Sequence, residues 1–167
     1  MPNWCEGVLK VRGTKEDIIN FLKNGLEPIN PAKQIALITG KEYKEIEVKA
    51  ELDDYEFTLE ASNGFYLKNS SRAFVETRCI EFYFGDDKEE SESHTLSIPN
   101  FKQAWGIEAK TLAEHSKVYN LDFKIFAFEC GMEFNQDIEI HKGEIIKDNE
   151  ITYDDYVWEC VMPDMGG

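Results

Sequence analysis

The sequence predicts an α+β domain, because a strand–helix unit opens the chain and a helix–strand–hairpin unit closes it. Between these units, residues 35–98 have almost entirely β character, since apolar and polar side chains alternate there with a period of two. A chain of 167 residues can bury a sizeable core unaided, and no linker or internal repeat divides it. We therefore expect a single domain over residues 1–167.

The opening unit starts with a predicted strand over residues 4–12, where small or apolar residues alternate with mostly polar ones. Gly13 ends the strand. Thr14 lies three residues before Asp17, a spacing typical of a helix N-cap. Apolar residues then recur at helical spacing as far as Gly25. These features predict a strand followed directly by an amphipathic helix.

The closing unit consists of a helix, a strand and a hairpin. Residues 107–119 contain no Pro or Gly and carry an apolar stripe at spacings of three and four, which predicts a helix with His115 on its surface. Residues 121–128 alternate as a half-buried strand does, and the hairpin that follows turns at Lys142-Gly143. The tail beyond residue 150 is too apolar to be free, so we expect it to pack as a short helix or an edge strand.

The middle of the chain predicts short strands joined by turns. Residues 35–39 are expected to form a strand before Gly40, and residues 74–84 are a long run of β-branched and aromatic residues, which favours β structure. The next segment, residues 85–93, carries five acidic residues within seven positions. A charge run of this kind indicates an exposed loop more often than a dedicated docking site. The order of the strands in this region stays open.

The formal charge of −15, from 18 basic and 33 acidic residues, limits the classes of partner that the protein is expected to bind. Direct binding of nucleic acid is not expected, because affinity for phosphate depends on Lys and Arg. Either the charge serves solubility alone, or an acidic face docks on a protein with a basic surface. No apolar run approaches the roughly eighteen residues of a membrane helix, and no secretory signal is visible. We therefore expect a cytoplasmic protein without membrane association.

No catalytic, phosphate-binding or dinucleotide-binding motif is present in the sequence. The four cysteines lack a C-x-x-C pair and the three histidines stand far apart, so no metal, iron–sulfur cluster or other cofactor is expected. Glu129 and Glu133 flank Gly131 and could form a carboxylate pair for acid–base chemistry. With 33 acidic residues, however, such a pair is expected by chance. We assign no catalytic residue, and the balance favours a protein that is not an enzyme.

Arginine is rare in this sequence, and Arg72 is the best candidate for binding an anion. The chain contains three arginines, and Arg72 follows two serines with Lys68 just upstream. A guanidinium group suits an anion because its donors match carboxylate and phosphate geometry. The alternative is that Arg72 and Arg78 pair with nearby acids such as Glu76 on the same β surface.

Two passages are similar to the YubB-like, ferredoxin-like-domain proteins of phages, plasmids and conjugative elements. The first is the opening MPNWC, followed by a strand and Gly13. The second comprises Ala104-Trp105 before a helix, a strand over residues 120–129, the Gly131-x-x-Phe134 sequence, and a hairpin at Gly143. Residues from Ile35 to Pro99 match nothing recognisable.

The resemblance implies a ferredoxin-like split β-α-β sandwich, enlarged by an antiparallel β insertion at about residues 35–99, and a mobile-element origin. It implies no activity, because the function of that family is uncharacterised. The implied topology agrees with the strand–helix opening and the helix–strand close.

In a ferredoxin-like order the first and last strands of the motif are neighbours, so Trp4 and Trp105 could meet across one end of the sheet. They would then line a ligand or partner pocket, with Asn3 and Glu129 as polar contacts. The alternative is that the two indoles form a lid over the core.

The leading functional hypothesis is a non-enzymatic, acidic protein-binding module that serves a mobile element, for example as a DNA-mimicking inhibitor of a host defence protein. One alternative is a small-molecule or nucleotide-binding module that uses the Arg72 region for an anionic ligand. The other is an enzyme whose carboxylates do not stand out from the acidic background.

Overall fold

The computed structural model describes residues 2–85 and 92–167. In these ranges the chain forms, in order, β1 (Trp4–Thr14), α1 (Lys15–Asn24), β2 (Leu26–Pro28), α2 (Pro31–Thr39), β3 (Val48–Leu52), β4 (Glu56–Ala61), β5 (Phe65–Leu67), β6 (Ala73–Val75), β7 (Cys79–Tyr83), β8 (Ser93–Ala104), α3 (Ala109–Val118), β9 (Asp122–Glu129), β10 (Phe134–His141), β11 (Glu144–Thr152) and α4 (Tyr156–Glu159).

An antiparallel sheet of eight strands runs in the order β11-β10-β9-β1-β8-β6-β5-β2. Strand β1 lies near its centre, with Val11 opposite Leu96 of β8 on one side and Phe123 of β9 on the other. The predicted pairing of the first strand with the strand of the closing unit is therefore confirmed. The mixed α+β class is confirmed as well, although eight strands exceed the four of a β-α-β-β-α-β unit.

Helices α1 and α3 pack on one face of this sheet and enclose the main core. The ring of Phe21 in α1 lies 5.2 Å, centroid to centroid, from the ring of Phe123 in β9, and both side chains are fully buried. Helix α1 begins where predicted, since the Thr14 hydroxyl accepts a hydrogen bond of 3.2 Å from the Asp17 N–H. Burial of the apolar stripes of both helices fixes their position on the sheet.

A second, three-stranded sheet runs in the order β3-β4-β7. Its inner face contributes Phe57, Leu59, Ile80 and Phe82 to the same core as the large sheet. Its outer face is solvated, as the alternating burial along β4 and β7 shows. Both sheets therefore share one continuous core.

The strand predicted over residues 35–39 is wrong, because these residues belong to helix α2. The Asn30 side chain caps this helix by accepting a hydrogen bond of 3.2 Å from the Lys33 N–H, and Pro31 occupies its first turn. Gly40, at φ +67°, ends it. These end signals outweigh the β-branched side chains between them. The exposed fractions of Ile35, Leu37 and Ile38 are 60%, 77% and 87%.

The β-branched and aromatic run over residues 74–84 does not form one continuous strand. The run divides into β6 in the large sheet and β7 in the small one. The chain changes sheet where Glu76 N–H donates to the Asn100 carbonyl and the Arg78 carbonyl accepts from Ala61 N–H. Apolar content alone cannot distinguish one strand from two strands in different sheets. Most of the predicted loop over residues 85–93 lies outside the described residues.

The C-terminal tail contains a short helix, as predicted, and covers part of the sheet face opposite α1 and α3. Phe128, Tyr156 and Cys160 form a small second cluster of buried side chains. The last residue, Gly167, donates a hydrogen bond of 2.8 Å to the Trp4 carbonyl. The tail therefore ends at the start of β1. Within the described ranges, no helix combines the length and the apolarity needed to cross a bilayer.

Candidate functional site

Trp4 and Arg72, two of the predicted site residues, lie together. The Arg72 guanidinium carbon is 5.6 Å from the centre of the Trp4 ring, and the Lys102 Nζ is 4.6 Å from it. Both distances fall within the range of cation–π interactions. Arg72 occupies the turn between β5 and β6 with φ +54°, in the left-handed region. The fold thus holds an arginine against an indole at a strained backbone position.

The strand register explains why these side chains share one face. Phe74 of β6 lies opposite both Lys102 of β8 and Tyr66 of β5. Ring centroids are 5.7 Å apart for Trp4 and Phe74, and 5.3 Å apart for Phe74 and Tyr66, both edge to face. The neighbours of Phe74 along the strand are buried in the core, so the ring itself lies on the opposite face of the sheet. We call Trp4, Phe74 and Tyr66 the aromatic row.

A cleft of about 370 Å³ lies beside the aromatic row. We call it the Arg72 cleft; its walls come from Glu27, Pro28, Ile29, Asn30, Lys33, Leu37, Tyr66, Arg72 and Phe74. Two cations thus line the cleft against one carboxylate. Lys33 Nζ lies 3.7 Å from the Glu27 carboxylate, in an exposed ion pair. Among the described residues, no ion pair involves Arg72, so the predicted alternative of pairing with Glu76 is wrong. The Lys102 Nζ instead lies 2.6 Å from the Glu76 carboxylate.

A larger cleft of about 690 Å³ lies on the other side of the start of α2. Its lining includes three carboxylates and two lysines: Glu45, Glu47, Glu60, Lys44 and Lys49. The excess of carboxylates disfavours the binding of an anion in this cleft, because like charges repel in a partly desolvated site. Charge therefore distinguishes the Arg72 cleft from this larger one.

Trp105 does not join Trp4, which corrects the predicted pairing of the two indoles. Its backbone N–H donates a hydrogen bond of 2.9 Å to the Asn3 carbonyl, so the two chain segments do meet. Its φ of +72°, however, marks a turn just after β8, and 64% of its side chain is exposed. The indole therefore neither covers the core nor lines the Arg72 cleft.

Glu129 and Asn3 lie together, but away from the Arg72 cleft. Glu129 is fully buried, and its carboxylate accepts hydrogen bonds from Gly131 N–H at 3.0 Å and Met132 N–H at 2.6 Å. A Cβ atom added to Gly131 would lie 2.5 Å from Asn3 Nδ2 and 3.0 Å from Glu129 Oε1, so all three groups are in close contact. This carboxylate organises the turn between β9 and β10. Glu133 is exposed, and the two do not form a buried acid–base pair.

Cys5 is fully buried near Glu129. Burial, followed by the charge of Glu129, raises the pKa of the Cys5 thiol to about 12. Its Sγ lies 3.4 Å from Gln136 Oε1, and the same oxygen accepts a hydrogen bond of 2.6 Å from Ile107 N–H. Cys5 is thus a buried thiol. Cys79, by contrast, is exposed.

His115 is buried, contrary to the predicted surface position. Its Nε2 donates a hydrogen bond of 2.7 Å to the Lys68 carbonyl, and its ring stacks on Tyr119 at 5.9 Å. Burial lowers the pKa of this imidazole. The side chain therefore joins α3 to the loop after β5.

The outer face of the small sheet carries four carboxylates, from Glu51, Glu56, Glu60 and Glu81, which we call the acidic sheet face. Burial, followed by the charges of Glu81, Glu60 and Glu56, raises the pKa of Cys79 on the same face. The small sheet therefore presents a local concentration of negative charge.

Four residues that shape the Arg72 cleft and its surroundings were missed by sequence reasoning: Lys33, Tyr66, Phe74 and Lys102. Alternation along the short strands could have placed Tyr66 and Phe74 off the core face. The neighbours of those strands depend on long-range pairing, so no local signal connects these residues with Trp4.

In the described part of the chain, no group of three or more His, Cys, Asp and Glu side chains is arranged to hold a metal ion. No protein-family model, curated protein or solved structure matches this chain.

Proposed function

We propose that this protein is a binding module for a small anionic ligand, which it holds in the Arg72 cleft. The observation that supports the proposal is the guanidinium group of Arg72, held on the Trp4 ring and lining the cleft with Lys33. A cation–π contact restricts an arginine without using its N–H donors. Those donors stay available for a carboxylate or phosphate group.

Binding is favoured over catalysis by the groups that line the cleft. The Tyr66 hydroxyl donates a hydrogen bond to the Ser70 carbonyl. The Asn30 amide caps α2 through its oxygen and donates to the Lys44 carbonyl at 3.0 Å. Both groups stabilise the walls of the cleft, and neither is paired with a base that could activate it.

Calorimetric titration with inorganic phosphate tests this proposal. We expect the wild-type protein to bind, Arg72→Gly to lose binding, and Arg78→Ala to bind like the wild type. Arg78 is a matched control because it is exposed and its loss changes the net charge equally. Binding should weaken with added salt, as expected for an exposed charged site. Equal affinities of the Arg72 and Arg78 variants would refute the proposal.

A second candidate function is docking of a basic protein on the acidic sheet face. The observation that favours it is the grouping of four carboxylates on one solvated face. Such a face attracts a partner with a positive surface and steers its approach. One form of this function is a mobile-element protein that mimics DNA and inhibits a host defence protein.

Affinity capture from host cells at low and high salt tests the second candidate. The variant Glu51→Gln, Glu60→Gln, Glu81→Gln should lose the captured protein, and added salt should release it from the wild type. A matched control is Glu144→Gln, Asp148→Asn, Glu150→Gln, because these acids are exposed on β11, far along the other sheet. Capture that survives the first variant, or high salt, would count against the acidic sheet face.

We also propose a ferredoxin-like kernel for the large sheet. Strands β8 and β9 are both antiparallel to β1 and flank it, with α3 connecting them, which is the arrangement of a split β-α-β unit. Helix α1 connects β1 to β2, and the β5–β6 pair lies between β2 and β8. In this interpretation the insertion comprises α2 to β7.

A gene located away from phage, plasmid and conjugative sequences would count against the proposed mobile-element origin.

A further inference from the structure

The lining of the Arg72 cleft combines two kinds of side chain. Arg72 and Lys33 supply positive charge, whereas Tyr66, Phe74 and Leu37 supply apolar surface. A simple inorganic anion would use only the first kind. The second kind matches a ligand that also carries a flat, apolar ring, since aromatic side chains stack on such rings.

Leu37 strengthens this point, because 77% of its side chain is exposed beside the aromatic rings. An exposed aliphatic side chain that faces a cleft gains stability when a ligand covers it. Helix α2 holds Leu37 on one wall, and strands β5 and β6 hold Tyr66 and Phe74 on another. A planar ring that entered between these walls would be covered on both sides.

Glu27 adds a further restriction on the ligand. Its carboxylate lies in the same cleft and 3.7 Å from Lys33 Nζ. A carboxylate repels phosphate but accepts hydrogen bonds from hydroxyl and amino groups. Glu27 therefore favours a ligand that has donor groups in addition to its negative charge. A nucleotide has all three parts, namely a phosphate, a flat base, and sugar hydroxyl or base amino donors.

We propose that the ligand of the Arg72 cleft is a nucleotide, either free or as a unit of a single-stranded nucleic acid. This inference rests on the anion site proposed above. The phosphate contacts Arg72, the base lies against Tyr66 and Phe74, and Glu27 accepts from a hydroxyl or amino group. The cleft volume of about 370 Å³ lies within the range of pockets for small molecules, about 300–1,000 Å³.

Calorimetric titration with three probes tests the inference: inorganic phosphate, ribose 5-phosphate and adenosine 5′-monophosphate. We expect the monophosphate with the base to bind about tenfold more tightly than ribose 5-phosphate, because stacking on an aromatic ring adds to the affinity. Tyr66→Leu should remove this gain, so that the ratio of the two affinities falls to about one. Tyr66→Phe should retain the gain, since it keeps the ring. Tyr83→Leu is the control, because Tyr83 is 72% exposed on the other sheet.

The outcomes separate the inference from the anion site on which it rests. Equal affinities for the two sugar phosphates, or an undiminished gain in Tyr66→Leu, would overturn the nucleotide inference and leave the anion site standing. Failure of all three probes would overturn both. Circular dichroism of each variant establishes that it is folded before its affinity is compared.

A fourth titration distinguishes the two sources of the nucleotide. An eight-residue single strand of deoxyadenylate reaches past the cleft toward Trp4 and Lys102, which lie along the same sheet face. Tighter binding of the strand than of the monophosphate, together with its loss in Arg72→Gly, identifies single-stranded nucleic acid as the source. Weaker binding of the strand identifies the free nucleotide.

Discussion

The guanidinium carbon of Arg72 lies 5.6 Å from the centre of the Trp4 ring, and Arg72 holds this position with φ +54°. A side chain other than glycine in the left-handed region costs about 1–2 kcal/mol. A cation–π contact at an exposed site returns about 0.5–1 kcal/mol. The arginine therefore contributes little to the stability of the fold, which is the pattern expected where a residue serves binding.

Arg72→Gly should consequently leave the fold intact while it abolishes anion binding. Because glycine adopts positive φ without a Cβ clash, we expect Arg72→Gly to be more stable than Arg72→Ala by about 1 kcal/mol. Urea denaturation of the two variants measures this difference. An alanine variant as stable as the glycine variant would mean that residue 72 is not left-handed in solution.

Close approach of β1 and β9 makes Gly7 sensitive to substitution. A Cβ atom at Gly7 would lie 2.5 Å from the backbone oxygen of Phe126, which can move only with its strand. We expect Gly7→Ala to lower the free energy of unfolding by about 1–3 kcal/mol. Gly13→Ala is the control on the same strand, because the close contact of its Cβ, at 2.5 Å, would be with the end of the Leu121 side chain, whereas the nearest backbone atom would be 3.7 Å away. Thermal unfolding should show the larger loss for Gly7→Ala, and the reverse order would contradict this packing.

Asn135 anchors the C-terminal tail to the sheet. It is fully buried, donates a hydrogen bond of 2.7 Å to the Tyr153 hydroxyl and accepts one of 3.1 Å from the Tyr156 hydroxyl. Asn135→Leu leaves both hydroxyls without this partner and should cost about 1–3 kcal/mol. Urea denaturation measures the loss, and limited proteolysis should show earlier cleavage beyond residue 152. A loss smaller than that of Tyr153→Phe would show that Asn135 is not the centre of this network.

His115 makes stability depend on pH. Burial lowers the pKa of its imidazole in the folded state, so below about pH 6.5 the unfolded chain binds a proton that the folded chain does not. This contribution to the free energy of unfolding is present above pH 6.5 and is lost as the pH falls. His115→Gln should give a shallower dependence between pH 5 and about pH 6.5. Urea denaturation across this range tests the expectation, and an unchanged slope would contradict it.

The alkylation rate of Cys79 should depend on the negative charge of the acidic sheet face. Burial, followed by the charge of Glu81, raises the pKa of its thiol, and only the thiolate reacts with an alkylating agent. Glu81→Gln should therefore increase the rate at which iodoacetamide labels Cys79 at pH 8, whereas Glu139→Gln, on the large sheet, should not. Mass spectrometry of the peptide that contains Cys79 measures the rate. Identical rates in the two variants would place the Glu81 charge away from the thiol.

Local patterns predicted the elements whose signals lie close together in sequence. The N-cap at Thr14 and the alternation over residues 121–128 correspond to α1 and β9. The error over residues 35–39 has a local cause as well, because Asn30 and Gly40 are the end signals of a helix and outweigh the strand propensity of the side chains between them. Propensity is a weak guide when end signals disagree with it.

The candidate site was only partly predictable. Arg72 stands out by the rarity of arginine, and Trp4 by its place at the start of the first strand. Their contact, however, depends on the pairing of β6 with β8 and of β8 with β1. The net charge of the chain disfavours phosphate ligands, but it is a sum over all residues and does not show where cations are grouped. The cations of the Arg72 cleft come from α2 and from the turn between β5 and β6, and only folding brings them together.

By itself the sequence determined the α+β class, the opening and closing units, and the faces that their apolar residues bury, because these follow from periodicity within one element. The tertiary structure alone decided which strands are neighbours, where residues 74–84 divide between two sheets, and that Arg72 meets Trp4 while Trp105 does not. The physical reason is that the alternation of apolar and polar residues within a strand determines which of its faces is buried. The neighbours of that strand, by contrast, are selected by hydrogen bonds and packing between distant segments.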